Sequence, residues 1–270
     1  MSGDFPRNDK QKPNYALVFE DDFDSDHLDD TKWYPYYLPQ WSSRARSKAN
    51  YRFEDSKLIL QITEDQEPWC PEFDGNIKVS NLQTGVYSGP LGSELGQHRF
   101  SKKCRVREEQ VETRLFTPRY GYLEMRAKGL RNPNNLCALW MIGFEDRPER
   151  SAEICVFELK GWNQSAGAER STVGFGIHPF GDPKIEDEFF EREFPIDASR
   201  FHIYAVDWSA EGVNFYIDNA LVHTSKQSPD YPMQLMLNVY EIPRPAHESE
   251  QRPVYPSEFH IDYIRFYQKI

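Results

Sequence analysis

The stretch Ser151-Ala152-Glu153-Ile154-Cys155-Val156-Phe157-Glu158-Leu159-Lys160-Gly161 places two carboxylates, Glu153 and Glu158, five positions apart in a segment that otherwise reads as a buried strand. Residues of opposite parity on a plain strand face opposite sides, so these two share a face only if one extra residue is inserted between them. The adjacent apolar pair Val156 and Phe157 has the pattern of such a bulge. With the bulge, Glu153 and Cys155 point one way, Ile154, Val156 and Phe157 enter the core, and Glu158 returns to the side of Glu153. At a rise of about 3.3 Å per residue the two Cα atoms stand roughly 13 Å apart. Two Glu stems leaning together close that to about 5 Å between carboxyl groups, the spacing at which a carboxylate pair cleaves a glycosidic bond with retention.

Composition narrows the fold and the partners. The chain is rich in aromatics, with 18 Phe, 15 Tyr and 6 Trp among 270 residues, and it lacks long helical patterns, which together favour an all-β fold. At this length about three quarters of the unfolded surface can be buried, so core size is no obstacle. A net charge of −11 argues against nucleic acid or an anionic membrane as partner, since both require clustered cations. A neutral substrate fits better, and the chain is expected to act as a monomer. No stretch approaches the length of a membrane span, and the segment from Met1 to Arg7 lacks the apolar centre of a signal peptide. As written the chain is expected in the cytoplasm, or outside the cell if a leader has been removed. Four cysteines make no disulfide framework. By parity with Trp140, Cys137 is expected in the core and Cys155 in a cleft, while Cys70 and Cys104 sit in loop-like segments where pairing stays open.

The hexapeptide from Glu153 to Glu158 resembles the bulged signature Glu-x-Asp-x-x-Glu of glycoside hydrolase family 16, with Cys155 where that family has Asp. The setting strengthens the resemblance. Phe116-Thr-Pro-Arg-Tyr-Gly-Tyr-Leu-Glu-Met-Arg-Ala-Lys128 and Ala138-Leu-Trp-Met-Ile-Gly143 are similar to the two family strands that precede the signature. Val18-Phe-Glu-Asp-Asp-Phe23, Phe201-His-Ile-Tyr-Ala-Val-Asp-Trp208, Asn214-Phe-Tyr-Ile-Asp218 and His260-Ile-Asp-Tyr-Ile-Arg-Phe-Tyr267 fall in family order around it. The resemblance implies a β-jelly-roll sandwich of two curved antiparallel sheets, concanavalin A-like, with a cleft across the concave sheet. Residues 1–14 are expected as a flexible tail and residues 15–270 as one catalytic domain.

The resemblance also implies roles. Glu153 becomes the nucleophile and Glu158 the acid and base, with Cys155 between them as the departure. A thiol is mostly neutral at pH 7 and donates only weakly, so a reduced rate or shifted pH optimum is expected. Trp140 is expected to stack on a sugar and His178 to line the cleft. Asn50, at the end of a polar segment, Trp162, just after the signature, and Asn238 complete the substrate-binding set. Asp22 and Asp262 match the positions where the family often holds a structural calcium, although Ser56 stands where a turn glycine is usual. Arg44, Arg46 and Lys48 alternate as on a solvated edge strand. Residues 64–110, broken by Pro and Gly, read as long loops at the rim of a cleft. The Asp218-Asn219 pair marks a tight hairpin.

The reading that results is a retaining endo-glycosidase acting on a β-linked polysaccharide or oligosaccharide, with a β-1,3-glucan as first substrate because the bulged signature resembles that of the β-1,3-glucanase and galactanase branches of the family. A transglycosylase, or a glycan-binding lectin whose catalysis has decayed at Cys155, are the alternatives. A metal held by Glu153, Cys155, Glu158 and His178 lacks any recognised ligand spacing.

Overall fold

The computed structural model of the chain describes residues 3–164, 169–244 and 253–270. Its strands, in chain order, are β1 (Tyr15–Asp21), β2 (Tyr51–Phe53), β3 (Leu58–Ile62), β4 (Lys78–Gln83), β5 (Gly85–Val86), β6 (Thr113–Arg114), β7 (Gly121–Lys128) and β8 (Asn135–Gly143). They continue with β9 (Glu153–Lys160), β10 (Ser171–His178), β11 (Glu188–Phe194), β12 (His202–Ser209), β13 (Gly212–Ile217), β14 (Ala220–Ser225), β15 (Met233–Glu241) and β16 (Ser257–Lys269). Two antiparallel sheets dominate. The first runs β14-β13-β12-β7-β16-β3-β2 with β1 added on β16, and the second runs β11-β10-β9-β8-β15-β4. This is the expected jelly-roll sandwich, and the main core lies between its sheets. Leu123, Met125, Tyr204 and Ile264 of the first meet Leu139, Ile154, Phe157 and Leu237 of the second. Asp218 and Asn219 take φ 51° and 65° in the hairpin between β13 and β14, as their side chains allow.

β9 carries the inserted residue. Against β8 the register steps from Leu139 opposite Phe157 to Trp140 opposite Cys155, which leaves Val156 without a partner. Against β10 it steps from Gly174 opposite Glu158 to Gly176 opposite Cys155. The composition of β9 demands this. Strict alternation from Glu153 would send Phe157 to the outer face and Glu158 into the core, losing about 1.5–3 kcal/mol of apolar burial and stranding a carboxylate among hydrocarbons. With the bulge, Ile154, Val156, Phe157 and Leu159 all reach the core, and Phe157 stacks on Tyr204 with ring centres 4.1 Å apart. The two glycines of β10 make room: a Cβ at Gly174 would lie 2.8 Å from the Phe189 ring and 3.3 Å from Glu158 Cβ, and one at Gly176 would lie 2.2 Å from the Glu188 carbonyl oxygen.

Three expectations require correction. The Arg44, Arg46, Lys48 run is no strand. Arg44–Ser47 forms one turn of helix, α1, because Ser43 caps it by accepting from the Arg46 N–H at 3.2 Å, and its arginines pair outward with Glu108 and Glu72. The tail is not loose where it is described. Phe5 donates its N–H to the Phe201 carbonyl at 2.7 Å, Arg126 and Arg265 donate to the carbonyls of Phe5 and Asn8, and Lys12 Nζ sits 3.7 Å above the Tyr122 ring. Its polar composition hid these contacts, since they are made chiefly by its backbone and cations.

The third correction concerns calcium. Asp22 is bound by Lys10 at 2.7 Å, Arg7 at 3.0 Å and Arg265 at 3.2 Å, and Asp262 by Arg126 at 2.7 Å and Arg7 at 3.3 Å. Asp262 is itself the unpaired residue of a bulge in β16, between Ile261 and Tyr263, which turns it toward Arg126. Cations already neutralise both carboxylates and would repel a dication, and among the described residues no group of three or more His, Cys, Asp or Glu could hold a metal. The residues do not fit calcium. Asp262→Ala should therefore strand the nearly buried Arg126 and cost roughly 3 kcal/mol, a fall in melting temperature of about 6–12 °C. The unsubstituted chain should melt at the same temperature with calcium or with a chelator; a calcium-dependent rise would show the ion pairs to be replaceable by the metal.

Candidate active site

The outer face of the six-stranded sheet holds a cavity of about 260 Å³. Glu153, Cys155 and Glu158 of β9, Trp140 of β8 and His178 of β10 line it together, so the inserted residue does bring the two glutamates to one place. Cys137 lies in the core, as parity with Trp140 requires. All four cysteines are free and buried, so Cys70 and Cys104 do not pair.

The other expected site residues lie apart from this cavity. Asn50 accepts from Gln61 at 2.8 Å, and its backbone is held by Ser80. Asn238 shares parity with Tyr240 on β15, but it is fully buried and donates to the Tyr240 hydroxyl at 2.7 Å, so it supports the wall rather than forming it. Trp162 does not line the cavity but packs on the apolar cluster that includes Leu136, Ala138 and Trp140 of its wall, with the Arg244 guanidinium 4.9 Å over its ring. Residues that the sequence reading missed take their places. Tyr240 lines the cavity and donates to the Tyr37 hydroxyl at 3.0 Å, and Asp74, held by the Trp69 indole at 2.7 Å, adds a third carboxylate. Tyr240 was open to discovery, since it shares parity with Asn238. Tyr37, His98 and Phe180 come from loops and Asp74 ends a single helical turn, Pro71–Asp74; none of the four gave a periodic signal.

The electrostatics of the cavity are set by burial. Burial, reinforced by the charge of Glu158, pushes the Glu153 carboxyl up to about 8. Burial also raises Glu158, but Lys160 opposes it, with Nζ 3.1 Å from Glu158 and 3.0 Å from Glu191 of β11. Among the described residues no cation pairs with Glu153, so a proton shared by the two carboxyls prefers Glu153. Burial, with both glutamates adding, lifts the Cys155 thiol well above its ordinary value and keeps it neutral. His178 meets Asp187 at 2.6 Å.

The model of the glycosyl hydrolases family 16 matches residues 69–265. The chain belongs to that family. This family 16 chain is 33% identical to the endo-β-galactosidase from Clostridium perfringens that releases GlcNAcα1-4Gal, superposing with a TM-score of 0.84 over 99% of this chain and 66% of that one. A laminarinase from Flavobacterium sp. UMI-01 is 20% identical, with a TM-score of 0.63 over 94% of this chain and 100% of that one. Glucan endo-1,3-beta-glucosidase A1 of Niallia circulans is 23% identical over 94% of this chain. The family 16 chain spans only 38% of the length of that glucosidase.

The raised Glu153 carboxyl has a thermodynamic consequence. The folded state holds its proton up to about pH 8 while the unfolded chain releases it near 4.5, so the fold binds more protons between those values and loses stability as pH rises through them. The loss is at most about 1.4 kcal/mol per pH unit. Glu153→Gln should flatten that slope, so that its melting temperature exceeds that of the parent chain by more at pH 8 than at pH 5. Equal differences at both values would show that Glu153 does not carry the proton.

Proposed function

We propose that this chain is a retaining endo-glycosidase acting on a β-linked glycan, with Glu153 as nucleophile and Glu158 as general acid and then base. The observation that carries the reading is the bulge at Val156, which delivers two carboxylates to one cavity beside Trp140 and His178. In the first step Glu153 attacks the anomeric carbon while Glu158 gives its proton to the departing glycosidic oxygen. In the second, Glu158 takes a proton from water and the water displaces Glu153 from the sugar. This requires Glu153 ionised and Glu158 protonated, whereas Lys160 favours the reverse in the empty cavity. Sugar binding must therefore move the proton across the pair. Cys155 is a small neutral neighbour in both steps and leaves the negative charge to the two glutamates.

The substrate reading moves from the β-1,3-glucan expected of a bulged signature to a β-galactosidic bond in a glycan carrying GlcNAcα1-4Gal. Identity of 33% to the Clostridium perfringens enzyme, against 20% and 23% to the laminarinase and the glucosidase, supports the change. A β-1,3-glucan remains the second reading, supported by the glucosidase of Niallia circulans.

Incubation with glycans capped by GlcNAcα1-4Gal and, separately, with laminarin should yield new reducing ends from the first and fewer from the second. The first-formed anomer, followed by NMR, should keep the β configuration. Glu153→Gln and Glu158→Gln should each lower turnover roughly 10³-fold. Binding of both glycans without cleavage, unaltered by Glu153→Gln, would instead identify a lectin. Loss of the last proton of the pair should bring activity down above about pH 8. Cys155→Asp should hold or raise turnover; a fall would assign the thiol a part in the reaction.

A further inference from the structure

The outward row of β9 continues past Glu158. Lys160, two positions on, faces the same side, and its Nζ lies 3.1 Å from Glu158 and 3.0 Å from Glu191 of β11. Glu158 and Glu191 stand on strands that are not neighbours, with Cα atoms roughly 10 Å apart at two strand spacings. They share one ammonium because the residue between them on β10, paired with both, is Gly174. A side chain at that position would separate the two carboxylates, and the space over Gly174 is taken instead by the Phe189 ring.

The groups that face Glu158 come from every strand beside it. β9 brings Glu153, the neutral thiol of Cys155 and Lys160; β10 brings His178, itself held by Asp187; and β11 brings Glu191. From β8 come only uncharged side chains, among them Ala138 and Trp140, while Asp74 and His98 close the cavity from its other side. Among the described residues Lys160 is the cation paired with Glu158. Burial works against the Lys160 charge, but its two carboxylates outweigh that and raise it above the ordinary lysine value, so it stays an ammonium.

The two steps of the reaction ask opposite things of Glu158, which must be neutral to give a proton to the departing oxygen and ionised to take one from water. A partly buried cation with a single carboxylate partner would oppose the first step, because protonating that partner leaves the cation uncompensated. A second carboxylate within reach removes the obstacle. We propose that Lys160 is a positioning residue for the acid and base, resting on Glu191 while Glu158 carries the proton and on Glu158 once that proton has left with the departing sugar. Charge balances across the step. Before it, Glu153 and Glu191 are ionised against Lys160; after it, Glu153 is a neutral ester and Glu158 and Glu191 are ionised against Lys160, so the four groups keep one net negative charge. The proposal rests on the glycosidase reading and deepens it, because it gives one side chain the means to serve in two protonation states.

The first test needs no turnover. In the Glu153→Gln chain the amide is uncharged, as the ester of the glycosyl-enzyme is, and the Glu158 carboxyl carbon is followed by NMR against pH. Adding Lys160→Met should raise its midpoint by about one pH unit or more, and adding Glu191→Gln, which leaves the ammonium to Glu158 alone, should lower it. With Glu153 restored, the high-pH limb of kcat/KM should move in the same two directions, measured on whichever of the capped glycan and laminarin the chain cleaves. Glu191 lies on the edge strand of its sheet, so its variant decides the matter even where Lys160→Met folds poorly. Shifts of one sign in both variants, no shift, or a limb that neither variant moves would overturn the part given to Lys160 and leave the glycosidase reading to its cleavage assay. Opposite shifts in a chain that releases no reducing ends from either glycan would remove the glycosidase reading, and the task of the lysine with it.

Discussion

One unpaired residue in one strand organises this molecule. β9 has to satisfy a core that wants Ile154, Val156, Phe157 and Leu159 and a solvent-side cavity that holds Glu153, Cys155 and Glu158, and a strand of period two cannot serve both lists. Leaving Val156 unpaired resolves the conflict at the cost of one irregular stretch of ladder. The glycines opposite on β10 follow from it, since a Cβ at Gly174 would crowd Glu158 and the Phe189 ring. So does the chemistry, because the same irregularity that rescues the packing turns two acids toward one space.

The two outer faces of the sandwich handle buried charge in opposite ways. On the eight-stranded sheet, Asp22 and Asp262 are met by Arg7, Lys10, Arg126 and Arg265, and the N-terminal segment supplies two of those cations. That arrangement closes off a metal site and ties the segment to the sheet. On the six-stranded sheet, among the described residues no cation pairs with Glu153, and Glu158 pairs with Lys160, which it shares with Glu191. A pair left short of countercharge keeps a proton, and a proton kept between two carboxylates is what acid and base catalysis requires. With Cys155 uncharged, no third carboxylate lies between the two on the strand.

Three left-handed backbones fall together beside the catalytic cavity. His98 and Phe180 line it, Glu145 accepts from the His98 N–H, and all three hold backbones that their side chains disfavour. The central strands beneath, β8 and β9, are almost wholly buried, and they supply the rigidity against which such loops can be bent. The expected long loop over 64–110 is in fact interrupted by β4 and β5, and it is the loop residues His98, Glu145 and Phe180 that shape what the cavity meets, while the strands determine where the acids stand.

Most of the frame was legible from the chain. Alternation marked the strands, Asp218-Asn219 marked a hairpin, and the doubled apolar pair Val156-Phe157 between two glutamates marked the bulge, because each is a local pattern with one geometric solution. The family resemblance placed Trp140 at the cavity, parity with it put Cys137 in the core, and parity with Glu153 put Cys155 on the cavity side. Local pattern fails where the deciding contact is distant in sequence. Asn238 has the parity of a cavity residue, yet it is covered by Tyr240 and Tyr37, the latter some 200 residues away. Asp22 and Asp262 read as free acids until the arginines that neutralise them are seen from three other segments. Asp74, His98 and Phe180 carry no periodicity, so only the folded loops could bring them to the glutamates. The amino-acid order determined which way each strand residue faces, because that is a matter of neighbours along the chain; tertiary structure decided which of those faces stay open and which charges find partners, because loops and tail arrive there from elsewhere.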